Sequence, residues 1–135
     1  MSHPAAGPVL ALRRAVLERL AGDAALAGLL DSPAIHDEPP PRSPAVHAVF
    51  GDAESEPDVE GVAIQTLEIL VSGRPGSAAS ALLAADRIAA LLDGAALPLA
   101  GAALAGIRLT RLAATRDAGT GLSRVRLVFR AVTEA

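Results

Sequence analysis

Few stretches of this sequence carry residue types that could do chemistry. His36-Asp37-Glu38 is the one close cluster of imidazole and carboxylates, the donor set a divalent metal takes. Adjacent residues of an extended segment point in different directions, however, so the three side chains converge poorly, and further ligands such as His47 would have to come from elsewhere. Gly73-Arg74-Pro75-Gly76-Ser77 opens a helical pattern, where a phosphate could rest on free amides. Its spacing is not that of a P-loop and no lysine follows, so a strand-to-helix turn accounts for it. Ser72, Ser77 and Ser80 lie close by, yet no Gly-x-Ser-x-Gly frames any of them, and nucleophilic catalysis needs a base within reach. The expectation is a chain with no catalytic, cofactor-binding or metal residue.

Charge placement is more informative. Asp31 to Glu68 holds Asp31, Asp37, Glu38, Asp52, Glu54, Glu56, Asp58, Glu60 and Glu68 against the single base Arg42. Gly101 to Ala135 reverses the balance, with Arg108, Arg111, Arg116, Arg124, Arg126 and Arg130 against Asp117 and Glu134. A molecule of net charge −3 sorted in this way is electrostatically complementary to copies of itself, which suits head-to-tail assembly into rings. The candidate interface residues are therefore Asp52, Glu54, Glu56, Asp58 and Glu60 on one side and Arg124, Arg126 and Arg130 on the other. The bland reading is a small domain with two unrelated charged faces. A DNA-binding module is the rival, since the three arginines could neutralise phosphates. Against it, no exposed aromatics interleave with them to stack bases, and the chain as a whole is mildly acidic.

The elements that must carry these charges follow from composition and period. At 135 residues the chain is one domain, with a core large enough to stand without staples. It has no Cys, Trp or Tyr and two Phe, so that core is aliphatic and a disulfide framework is excluded. Every base is Arg, as GC-rich coding would produce, which weakens each arginine as a sign of phosphate recognition. The longest apolar run, Ala95 to Ile107, is interrupted by Pro98, Gly101 and Gly106 and is too short to span a bilayer, and the chain is expected to be soluble with no membrane partner.

Residues 1–8 are expected to be a flexible N-terminus and 9–135 a single domain. Pro8 can open a helix with Val9, Leu12, Val16 and Leu20 on one stripe; Gly22 ends it, and Asp23 caps a short second helix that Pro33 bars from continuing. Pro39-Pro40-Pro41 is a stiff connector. Val46 to Asp52 reads as a strand, and Ala53 to Gly61, with its alternate acids and Pro57, as an exposed mobile loop. Val62 to Ser72 is the candidate central strand. Ser77 caps a helix to Leu92 with Ala81, Ala84, Ile88, Leu91 and Leu92 as its stripe. Ile107 to Thr115 and Leu122 to Thr133 form a hairpin across Asp117-Ala118-Gly119-Thr120-Gly121. In the last strand Val125, Leu127, Phe129 and Ala131 face one way and Arg124, Arg126, Val128 and Arg130 the other. The fold class is α+β: a mainly antiparallel sheet of about four strands, with an N-terminal helix and one crossover helix packed on it.

The order of parts resembles the tail terminator or tail-completion proteins of long-tailed phages and gene-transfer agents. The residues that carry the likeness are Leu10-Ala11-Leu12-Arg13-Arg14-Ala15-Val16, Ile35-His36-Asp37-Glu38-Pro39-Pro40, Pro44, Val49-Phe50-Gly51 and Gln65-Thr66-Leu67-Glu68-Ile69. Ala85-Asp86-Arg87-Ile88-Ala89-Ala90-Leu91-Leu92, Leu97-Pro98-Leu99-Ala100-Gly101 and the final hairpin complete it, from about Val9 to Val132. Such proteins often have an aromatic in the first strand and before the serine ending the central strand, where this chain has Val49 and Val71.

The resemblance implies a non-enzymatic virion component: a homo-oligomeric ring, expected to be a hexamer, that caps the tail tube. It implies contact with the tail tube protein and a head-tail connector or stopper protein, with DNA only as passing cargo, in a particle tail assembled in the bacterial cytoplasm. Another small head-tail joining protein is the alternative. On this reading the acidic loop is flexible in the isolated subunit and orders against a neighbouring chain, or lines a channel where it repels DNA.

Overall fold

The computed structural model describes residues 7–31, 35–36 and 46–135. The N-terminal residues 1–6, the break at Pro33, Asp37 and Glu38, the Pro39-Pro40-Pro41 connector and Pro44 lie outside them. Helix α1 (Pro8–Ala21) opens with Pro8 in its first turn and ends at Gly22. It buries Ala11, Leu12, Ala15, Val16 and Leu20, while Val9, the first member of the expected stripe, is only half-buried. Helix α2 (Ala24–Leu29) is capped by Asp23, whose carboxylate accepts from the Leu26 amide at 2.8 Å.

Strands β1 (His47–Pro57) and β2 (Val62–Ser72) form an antiparallel hairpin. Helix α3 (Ala78–Leu92), capped by Ser77 as its spacing predicts, crosses over to β3 (Ala103–Arg116), which turns back into β4 (Ser123–Glu134). The sheet runs β1-β2-β4-β3 and every neighbouring pair is antiparallel. The α+β expectation therefore holds, with β2 and β4 central.

Among the described residues, helices α1, α2 and α3 all lie on one face of the sheet. Strict alternation in β4 sends Val125, Leu127, Phe129 and Ala131 into the core against Leu67, Ile69 and Val71 of β2 and Ile107 of β3. Burying a side chain such as Phe129 or Leu12 contributes about 1.5–3 kcal/mol each, and the core is carried by aliphatics with the two phenylalanines, Phe50 and Phe129. Among the described residues, no helix is long and apolar enough to cross a membrane.

One expectation is corrected. The acidic stretch is not a loop: β1 runs through Pro57, with Ala53, Ser55 and Pro57 opposite Leu67, Gln65 and Ala63. The connection shrinks to Asp58–Gly61, where Gly61 takes a φ of 80°. Alternate acids and a proline suggested a solvated loop, but an edge strand with one face in solvent carries the same residue types. The alternation was the strand period itself. Similarly, β3 starts at Ala103, inside the glycine-interrupted run, and absorbs it with bulges between Leu104 and Gly106 and between Leu109 and Arg111.

Candidate functional site

The sheet face turned away from the helices collects the sorted charges. On β1 it presents Glu54 and Glu56, paired in register with Thr66 and Ile64. On β4 it presents Arg124, Arg126 and Arg130, opposite Ser72, Leu70 and Thr66 of β2. On β3 it adds Arg111, opposite Val128, and Arg108, directly opposite Arg130. Because β2 pairs with β4, the acidic and basic segments are brought onto one face rather than two. Charge runs across it from acidic at the β1 edge to basic at the β3 edge. Asp58 and Glu60 sit in the hairpin connection at the end of β1, outside the strands.

The two signs meet at Glu68. Its side chain is 12% exposed and pairs with Arg126, whose Nε hydrogen-bonds Oε2. Oε1 accepts the Asp52 amide at 3.3 Å. The β1 ladder shifts register between Phe50 and Ala53, and Gly51 and Asp52 fill that bulge. A Cβ at Gly51 would stand 2.1 Å from Glu68 Oε1, so only glycine lets the carboxylate lie against the strand. Arg13 of α1 holds the same bulge from the other side: Nη2 donates to the Gly51 carbonyl at 3.0 Å, and the guanidinium stacks 4.9 Å from the Phe50 ring centroid. A cleft of about 200 Å³ lined by Asp52, Glu54, Glu68 and Arg126 marks the meeting point.

Arg126 is therefore a paired residue, whereas Arg124 and Arg130 stand exposed on either side of it. Arg108 lies 3.5 Å from Asp93 in an exposed pair, which contributes little. Sequence reasoning missed the parts played by Gly51, Glu68 and Arg13. Gly51 did carry a signal, because a glycine inside a strand pattern marks a bulge or a close approach.

The other candidates resolve into structural parts. His36 donates its amide to the Ala48 carbonyl (2.8 Å) and accepts from the Phe50 amide (2.9 Å), an isolated parallel bridge that covers the start of the β1 edge. Asp37 and Glu38 lie outside the described residues, among which no group of three or more His, Cys, Asp or Glu could hold a metal. At the Gly73–Ser77 turn, the Ser77 hydroxyl accepts the Ser80 amide, the Ser80 hydroxyl donates to the Ser77 carbonyl, and Gly73 packs against Ser80 and Ala81. Those serines close the turn.

The displaced ionisations are structural too. Asp23 is held down to about 2, chiefly by its hydrogen bond from Arg87 and then by the Leu26 amide. Asp117 is lowered by the Gly119 and Thr120 amides that it accepts in the β3–β4 turn.

Residues 14–134 match the family of the tail completion protein gp17. A chain in the solved structure "Virion of native gene transfer agent (GTA) particle" is 32% identical, with a TM-score of 0.83 over 96% of this chain and 100% of that one. Among curated proteins none matches. The chain belongs to the tail completion protein gp17 family.

Proposed function

We propose that this member of the tail completion family is a tail terminator: a structural subunit that closes into a ring, expected to be hexameric, on the end of the tail tube. The ring stops tube growth and joins it to the head-side connector or stopper protein, with DNA passing through. The observation that carries the reading is the match over nearly the whole chain, residues 14–134, supported by likeness to a chain of a gene-transfer-agent virion. The charge gradient across one sheet face fits it, because a heterologous ring interface joins two different surfaces of the same chain. The reading places the protein in the particle tail, assembled in the bacterial cytoplasm, and gives it no catalytic role.

The test mixes the purified chain with tail tube protein and images the product by negative stain. Rings at one end of each tube and shorter tubes are the expected outcome. A chain that stays monomeric and never sits at a tube end would refute it. The rival DNA-binding reading is separated by gel shifts at rising salt. With Arg126 engaged by Glu68 and acids on the same face, retardation is expected to be weak and to vanish by physiological salt.

A further inference from the structure

Both edges of the sheet are partly covered within the chain, and among the described residues each keeps one bare stretch. On β1, the His36 bridge covers Ala48 to Phe50, while 53–57 has no outer partner among the described residues. The Asp58 amide donates to the Val62 carbonyl at 2.9 Å, which sets the hydrogen-bond phase: Ala53 and Ser55 turn their N–H and C=O groups outward, and Pro57, which has no N–H, its carbonyl alone. On β3, the Gly94 amide occupies the Ile107 carbonyl and Asp93 accepts the Leu109 amide. Beyond the bulge, the Asp117–Leu122 bond sets the phase, and Leu112, Ala114 and Arg116 turn theirs outward.

We infer that these two bare stretches are the ring interface, 53–57 of one copy pairing antiparallel with 112–116 of the next. This deepens the tail-terminator reading and rests on it. Direction favours the pairing, because an all-antiparallel sheet of four strands has edges that run oppositely, so a copy set alongside continues the alternation. Face favours it as well. The outward-turned residues at both edges have side chains on the helix side, so the joined sheet keeps all helices on one side.

Chemistry favours it further. Setting Ser55 opposite Ala114 puts Asp58 opposite Arg111, an acid against a base, and leaves Glu54 and Glu56 opposite the uncharged Thr115 and Ala113, so no like charges face each other. The same register sets Leu112, 38% exposed, opposite Pro57. Pro57 borders a cavity of about 440 Å³ that Pro8, Val59, Val62 and Ala63 help to line. An exposed leucine then has a recess to enter whose apolar wall is flanked by Asp58, Glu60 and Glu134.

The geometry also constrains the ring. Ser55 is level with Gln65 on β2, whereas Ala114 is level, through Val125, with Val71. Neighbouring copies are thus offset by six residues, about 20 Å along the strands, against about 19 Å across four strands. A closed ring with that offset has its strands inclined by about 45° to the ring axis.

The chain has no cysteine, which makes cross-linking clean. Glu54 and Thr115 would form a non-hydrogen-bonded pair with Cα atoms about 4.5 Å apart, within disulfide reach. The full-length Glu54→Cys/Thr115→Cys chain, assembled with tube protein and oxidised, is expected to give a ladder of covalent multimers. Their yield should be at least tenfold above that of Glu54→Cys/Ala114→Cys, whose second thiol lies on the opposite face. Rings at tube ends without that excess overturn the edge pairing and leave the ring reading standing; neither rings nor a ladder overturns both. Should the cysteine chain misfold, Asp58→Arg and Arg111→Asp decide. Each alone is expected to lower ring yield at low salt, and the two together to restore it. A double variant as poor as the singles overturns the pairing.

Discussion

Gly51→Ala is the sharpest perturbation of the charged face, because its effect should change sign with the residue at position 68. In the wild-type chain a new Cβ would stand 2.1 Å from Glu68 Oε1 and 2.8 Å from Cγ and Cδ. Relief to ordinary contact near 3.4 Å moves the carboxylate by about 1.3 Å. The hydrogen bond from the Asp52 amide is already 3.3 Å long and cannot survive that shift. Losing a hydrogen bond to a charged acceptor costs about 1.5–3 kcal/mol. Arg126 is half exposed and can follow the carboxylate, so the pair itself is partly retained. The expected net loss is about 2 kcal/mol, or roughly 5–12 °C in melting midpoint for a domain of this size.

With Glu68→Ala in place the obstacle is gone. The backbone at position 51 takes no left-handed φ. Replacing glycine by alanine in a compatible strand position stabilises by about 0.4–1 kcal/mol through the unfolded chain. Urea denaturation of the wild type, the two single variants and the double closes a double-mutant cycle. The reasoning predicts a coupling of at least about 2 kcal/mol, with Gly51→Ala harmful beside Glu68 and neutral or helpful beside Ala. Additivity within about 0.5 kcal/mol would refute the claim that Gly51 is a glycine because of Glu68.

Three further outcomes are expected. Gln65 Nε2 donates to Thr133 Oγ1 at 3.0 Å in a fully buried pair, so Gln65→Leu should cost about 1–3 kcal/mol by stranding the hydroxyl, and adding Thr133→Val should recover part of it in the same urea assay. Phe129→Ala, at the centre of β4 with no exposed surface, should cost about 3–5 kcal/mol, read from the shift in unfolding midpoint. The pKa of Asp23 is depressed in the folded chain to about 2, so the stability it contributes is present above its unfolded value near 3.8 and is lost as pH falls from about 4 toward 2; denaturation midpoints across that window should fall less steeply for Asp23→Asn than for the wild type.

Legibility followed the strength of local periodicity. The β4 alternation, the Val62–Ser72 strand and the Ser77 and Asp23 caps could be read because each depends on a few consecutive residues obeying one rule. The second half of β1 was misread because its local signs point both ways. Glu54, Glu56 and Pro57 are loop-like by composition, yet strand-like by period, and what decides is pairing with β2, a tertiary fact. Glu68 could not be placed for a related reason. Alternation with Leu67 and Ile69 turns it away from the helices, and its burial there comes from a bulge in the adjacent strand and from Arg126 more than fifty residues away.

That same pairing changes what the sorted charges mean. In sequence they are two blocks, and two blocks could sit on unrelated surfaces. In the fold, β2 and β4 are neighbours at the middle of the sheet, so the blocks become the two sides of one face, neutralised at the Glu68–Arg126 seam and uncompensated toward the edges. Attraction inside the subunit is thereby spent at the seam, where Glu68 is largely buried, Arg126 half exposed, and the carboxylate holds the β1 bulge. What remains at the edges is exposed, weak in any one copy and screened by salt. It is directed outward, acid on one side and base on the other. Such residual charge does little for folding; on the tail-terminator reading proposed above, it would orient an approaching copy so that edge meets edge in one sense only.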